Sequence, residues 1–146
     1  MHQLNLAINN FLTQIFGHRD FVKFIVLTRS RSGSSLLISL LSSHPNVETY
    51  GEYFRKLNGR SYQEMINRVF SPKSRKINAV GFKIFYDHPH DEQNSELWNY
   101  LAGLADLRIL HLKRKNFLRT FISRKIAGIT DEWFVKQNKS TKKMLP

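Results

Sequence analysis

Four groups of residues in this sequence have the types and spacing to do chemistry. The stretch Thr28-Arg29-Ser30-Arg31-Ser32-Gly33-Ser34-Ser35 sets two guanidiniums, five hydroxyls and a glycine between the apolar runs FIVL and LLISLL. A loop of that build, running into a helix start, offers an anion backbone N–H groups and the positive end of a helix dipole. Gly33 removes a Cβ where the backbone must come close to ligand oxygens, and Ser32, Ser34 and Ser35 add hydroxyl donors to the charge of Arg31. Lys83 stands inside the otherwise apolar AVGFKIF, where an ammonium is costly unless something anionic meets it. Arg114, just past LRILHL, and Ser123, on the helical stretch that follows, make a sensible clamp for a second phosphate. Three candidates for a general base remain: Glu48 and Glu52 in ETYGEYF, and His88 in YDHPH.

Each group has a plainer reading. The loop could be a polar turn capped by serine at a helix start, Lys83 could snorkel to water from a strand end, and the basic helix could be a solvated face. Glu48 reads best as a solvated loop carboxylate, and Trp98 and Trp133 as packing residues. The nucleotide-triphosphate loop G-x-x-x-x-G-K-[ST], laid on Gly33, would need Gly at 28 and Lys at 34, but the chain has Thr28 and Ser34. The lysine that reaches terminal phosphates is therefore missing, which argues against an ATPase or kinase.

The elements that must position these residues alternate in type. Phe21–Leu27 is a β-rich, nearly continuous apolar run and predicts a strand buried on both faces; Ala79–Phe85 predicts a second strand, and Leu107–Leu112 a third, also buried. Ser34–Ser43, residues 61–70, Glu96–Leu104 and Asn116–Gly128 predict helices, the last with Leu118, Phe121, Ile122 and Ile126 on one face. Asn46–Phe54 reads as a loop or short extended piece. Residues 3–16 form an amphipathic helix within an N-terminal segment of about twenty residues, and 136–146 a basic tail, around a core of about 21–128. The expected fold is a single α/β domain over 1–146, a parallel sheet flanked by helices with a P-loop-like strand–loop–helix. Ligands in such sheets bind outside the carboxyl ends of the strands. That rule puts Thr28–Ser35, Phe85–His90 and Lys113–Asn116 along one rim.

In this order, the three segments resemble the PAPS-dependent sulfotransferases, and more narrowly the bacterial carbohydrate and nodulation-factor branch, of which the chain resembles an N-terminal portion. That family holds the 5′-phosphosulfate of its donor on a strand–loop–helix of the form PRSGS or PKSGT, matched here by Ser30-Arg31-Ser32-Gly33-Ser34-Ser35. It holds the 3′-phosphate with an Arg at a later strand end and a Ser on the next helix, matched by Arg114 and Ser123. Position 30 is Ser where the family has Pro, and the Arg114–Ser123 spacing is one residue longer than in the cytosolic branch. The resemblance implies transfer of a sulfuryl group from PAPS to a hydroxyl or amine of a carbohydrate or small metabolite, leaving 3′-phosphoadenosine 5′-phosphate (PAP). It implies Arg31, Lys83, Ser34 and the loop amides as donors to the leaving phosphate. Glu52 is the preferred base, beside Gly51 and the aromatic pair Tyr53-Phe54; His88 is the runner-up. Sulfuryl oxygens carry less charge than phosphoryl oxygens, so no metal is required.

Composition sets the outer bounds. The chain has 146 residues, 41% of them hydrophobic, with eleven Phe and no Cys; this suits one core-forming domain without disulfides or thiolate metal sites. No apolar run approaches the ~20 residues of a membrane span, and the N-terminus is not a secretory signal, so the expectation is a cytoplasmic protein. The formal net charge is +12, a field that draws in polyanions. A basic nucleotide- or nucleic-acid-binding protein without catalysis is the competing class, as is an incomplete, inactive sulfotransferase. No helix-turn-helix, RNP aromatic pattern or zinc spacing supports specific nucleic-acid binding.

Overall fold

The computed structural model describes residues 13, 16–92 and 96–130. Trp133, the basic tail and most of the expected N-terminal helix lie outside the described residues. Of that helix, Thr13 and Phe16 are helical, and the Gly17 amide donates to the Thr13 carbonyl at 2.9 Å. The chain divides into two compact units, Met1–Lys113 and Arg114–Pro146.

The first unit is built on β1 (Val22–Thr28), α1 (Ser34–Ser42), β2 (Val47–Tyr50), α2 (Tyr62–Val69), β3 (Ala79–Phe85), α3 (Leu97–Gly103) and β4 (Leu107–His111). The four strands form one sheet in the order β2-β3-β1-β4, and every pairing is parallel. Parallel neighbours need crossovers, which the helices supply. The architecture is the α/β fold with a parallel sheet flanked by helices that the sequence predicts.

The alternation of side chains across the strands separates the two faces of the sheet. Ile25, Val80, Phe82 and Ile84 point to one face and share a core with Met65, Ile66 and Val69 of α2 and Leu97 and Leu101 of α3. Met65, Ile66 and Val69 recur at helical spacing, so one stripe of α2 is buried. On the other face, Phe24 lies beside Gly81 and Val26 beside Lys83 in the ladder. There α1 reaches the sheet through Ser35 and Lys83.

One strand expectation is sharpened and one corrected. Of the stretch read as a loop or short extended piece, Val47–Tyr50 is a strand and occupies the β2 edge, with all four residues half-buried. β4 is an edge strand rather than a buried one: Ile109 is 57% and Leu110 44% exposed, because only β1 pairs with it among the described residues.

Gly81 is required by space. A Cβ there would stand 2.4 Å from the Phe24 carbonyl oxygen and 2.6 Å from its ring. Gly81→Ala is expected to lower stability by about 2 kcal/mol through overpacking. Urea denaturation should show a lower midpoint at unchanged slope, and equal midpoints would refute the packing assignment.

Candidate functional site

β1 ends at Thr28, which is fully buried. Its hydroxyl donates to the Leu112 carbonyl at 2.8 Å and lies 2.7 Å from Ser32 Oγ. One side chain thus ties the loop base to the end of β4. The loop that follows is unusual in its backbone. Arg31 has φ 65 and Gly33 φ 94, while Ser32 between them is not in the left-handed region. Alternating handedness of this kind turns successive amides toward one concave side, an anion-binding nest. A non-glycine residue in the left-handed region costs roughly 1 kcal/mol, and such outliers gather at functional sites. The loop ends in α1, whose cap residue Gly33 offers no side chain and whose first turn holds no acid. Its first amides have no partner within the helix.

Gly33 also has a conformational requirement for glycine. Among the described residues nothing lies within 4 Å of the point where its Cβ would stand, and its φ of 94 is one that side chains rarely adopt. Ser34 is buried at the first helical position, while Ser35 faces out.

Lys83 has the counter-charge that its burial requires. Its Nζ lies 3.0 Å from Glu52 Oε1, with side-chain exposures of 5% and 23%. The same ammonium donates to Ser35 Oγ at 3.2 Å and sits 5.4 Å from the Phe85 ring centroid. Glu52 reaches it because the β2–β3 ladder runs one step past the strand: the Lys83 amide donates to the Gly51 carbonyl at 3.0 Å. The short edge strand is therefore what delivers the carboxylate. Ser35, Lys83 and Glu52, named separately from sequence, form one connected group at the carboxyl end of the sheet.

Glu48 is not a solvated loop carboxylate. It belongs to β2, pairs with Lys73 Nζ at 2.8 Å and accepts a hydrogen bond from the Tyr50 hydroxyl. Lys73 is itself buried and reaches the Tyr50 oxygen at 2.7 Å. Burial first, and the bond to Glu48 second, push the Tyr50 hydroxyl well above its ordinary range. This closed network secures the edge strand and leaves Glu52 as the carboxylate beside Lys83.

His88 is 2% exposed, follows β3 and is joined to Pro89 by a cis peptide bond. Its Nδ1 accepts from the Phe85 amide at 3.3 Å, which puts the proton of the neutral ring on Nε2. That nitrogen has no hydrogen-bond partner among the described residues. Trp98, half-buried, donates its indole N–H to the His88 carbonyl at 2.9 Å. Burial, and then the neighbouring His90, lower the pKa of His88 from its ordinary value.

A further cluster on the rim had no signal in the sequence, because its members come from three separate strand ends. The Arg29 guanidinium carbon lies 5.5 Å from the Tyr86 ring centroid, and the Tyr86 hydroxyl is hydrogen-bonded to His111 Nε2.

Arg114 and Ser123 belong to the second unit. Its helix, α4 (Phe117–Thr130), is opened by Asn116, whose Oδ1 accepts from the Arg119 amide at 2.9 Å. Ser123 lies on this helix, and Arg114 precedes it. The expected apolar face of Leu118, Phe121, Ile122 and Ile126 is present but exposed. Among the described residues, no three His, Cys, Asp or Glu side chains are grouped to hold a metal ion, and no helix is long and apolar enough to cross a membrane.

Two curated proteins resemble this chain. Nodulation protein H of Rhizobium tropici is 26% identical over 122 residues, covering 75% of this chain and 48% of the relative. Nodulation protein H of Rhizobium meliloti (strain 1021) is 27% identical over 123 residues, covering 75% and 49%. The chain spans about half the length of the curated relatives it matches. No family model matches, and no solved structure matches.

The His88 environment makes a pH prediction. A histidine whose folded pKa lies below its unfolded value binds its proton more readily when unfolded, so its contribution is present above about pH 6.5 and is lost as pH falls below it. The parent protein should therefore lose stability from about pH 7 to about pH 5 more steeply than His88→Gln. Parallel stability–pH profiles would contradict the assignment.

Proposed function

We propose that the chain binds a 3′-phosphorylated adenosine phosphosulfate at the carboxyl end of its sheet and passes the sulfuryl group to an acceptor hydroxyl. The observation that supports this most is the run of contacts from Ser35 through Lys83 to Glu52. Anion cradle, buried cation and carboxylate stand in hydrogen-bonding succession where open α/β sheets bind ligands. The name of the two relatives agrees with the nodulation-type branch that the motifs resemble, and the acceptor proposed is accordingly a carbohydrate hydroxyl.

PAPS, when bound, supplies an activated sulfuryl group with a phosphate as its leaving group. The residues present suit it: the nest at Arg31–Gly33 and the start of α1 favour a compact anion. Arg31, Ser32 and the amides of Ser34 and Ser35 hold the 5′-phosphosulfate; the family resemblance assigns the 3′-phosphate to Arg114 and Ser123. Lys83 donates to the bridging oxygen, where charge develops as the S–O bond breaks and its electron pair passes to the phosphate. Glu52 accepts the acceptor's proton while the acceptor oxygen forms the new O–S bond. The reading assigns the base to Glu52 rather than His88. The Nδ1 of His88 is taken by an amide N–H, which leaves a protonated Nε2 with no lone pair to offer.

Calorimetry with PAP tests the binding half. Arg31→Ala and Arg114→Ala should each weaken affinity roughly tenfold or more, the scale of a lost charge-assisted contact; equal affinity in the parent and both variants would overturn the proposal. For the chemistry, Glu52→Gln should abolish transfer of labelled sulfate from PAPS without weakening PAP binding. PAP binding with no transfer by the parent protein would instead identify a non-catalytic nucleotide binder.

A further inference from the structure

We infer that Glu52 and the donor's phosphosulfate compete for Lys83, so that donor binding releases the base and must come before acceptor activation. The inference rests on the function proposed above. Lys83 Nζ lies 3.0 Å from Glu52 and 3.2 Å from Ser35 Oγ, with its side chain 5% exposed. A buried ammonium cannot stand without a counter-charge at tolerable cost, and without donor Glu52 provides it. The Glu52 oxygen that holds Lys83 is not open to an acceptor's proton.

An incoming phosphosulfate brings negative charge next to the Glu52 carboxylate, and two anions cannot share one buried ammonium without repulsion. The exchange is short. Lys83 already touches Ser35 in the first turn of α1, so the ammonium turns from the carboxylate toward the cradle without leaving its pocket. Glu52 is 23% exposed, enough to turn toward an acceptor entering from solvent. After transfer Glu52 holds the acceptor's proton and Lys83 holds PAP. Loss of that proton to water restores the carboxylate, and re-formation of the Lys83–Glu52 pair competes with PAP and helps to expel it. The pair thus sets a compulsory order, donor first, and favours product release.

The experiment is calorimetric titration of the full chain with PAP. Glu52→Gln and Glu52→Ala, which remove the competitor in different ways, should both bind PAP about tenfold more tightly than the parent protein. Lys83→Met should bind more weakly, and Glu52→Gln placed on Lys83→Met should bring no gain, the signature of an effect carried through Lys83. In the unaltered protein, the carboxylate carbon resonance of Glu52, identified by its absence from Glu52→Gln, should move on saturation with PAP. Equal PAP affinity in parent and both Glu52 variants, with an unmoved resonance, overturns the competition and leaves PAP binding standing. Failure of every form to bind PAP, with inorganic pyrophosphate still bound more tightly by the Glu52 variants, sinks the sulfotransferase reading and supports the competition. Pyrophosphate binding that is equal or absent in all forms overturns both.

Discussion

One ammonium inside a parallel sheet constrains the rest of this unit. Lys83 stands within β3, beside Val26 of β1, with its side chain buried. An ion there is tolerable only if a carboxylate and hydrogen-bond acceptors are brought to it. β2 must therefore pair with β3 in the register that ends at Tyr50 opposite Phe82, so that the chain leaves the sheet with Glu52 in reach. α1 must begin at Ser34, so that Ser35 meets the same ammonium. Three elements converge on a single nitrogen.

Around it the backbone carries its own strain and its own fastening. Thr28 links the loop to the last residues before the second unit, and Phe24 covers the sheet at Gly81, where no side chain could stand. The Lys73–Glu48–Tyr50 network grips β2 at its second and last residues, which helps to keep a four-residue edge strand in register. The chain's formal net charge of +12 would speed the arrival of an anionic donor, an effect that added salt weakens.

Much of this was legible in the sequence, and the failures have physical causes. β1 and β3 announced themselves as apolar, β-rich runs, and Ala79–Phe85 has the bounds the sequence predicts. β2 could be read only as a loop or a short extended piece, because an edge strand pairs on one side only; VETY is half-buried throughout and carries a glutamate. β4 read as buried because LRILH is as apolar as an inner strand, yet its position in the order leaves it at an edge. The cost of burying Lys83 was readable from its neighbours, but its partner was not, since Glu52 lies thirty-one positions earlier, in the turn that follows β2. The φ of 94 at Gly33 adds a conformational requirement for glycine that leaves no mark in the sequence beyond the glycine itself. The Arg29–Tyr86–His111 cluster joins three strand ends, and no local pattern could have shown it.

The proposed function requires the chain to recognise a nucleotide by both its 3′- and its 5′-phosphate. It is tested most directly by the nucleotide preference of the unaltered chain. PAP and ADP carry two phosphates each, but in PAP one is on the 3′ position. The account predicts that PAP binds at least tenfold more tightly than ADP, AMP or ATP, without added divalent metal, and keeps that preference as salt is raised. Equal affinity for PAP and ADP, falling together with salt, would contradict it and leave only a general attraction for anions.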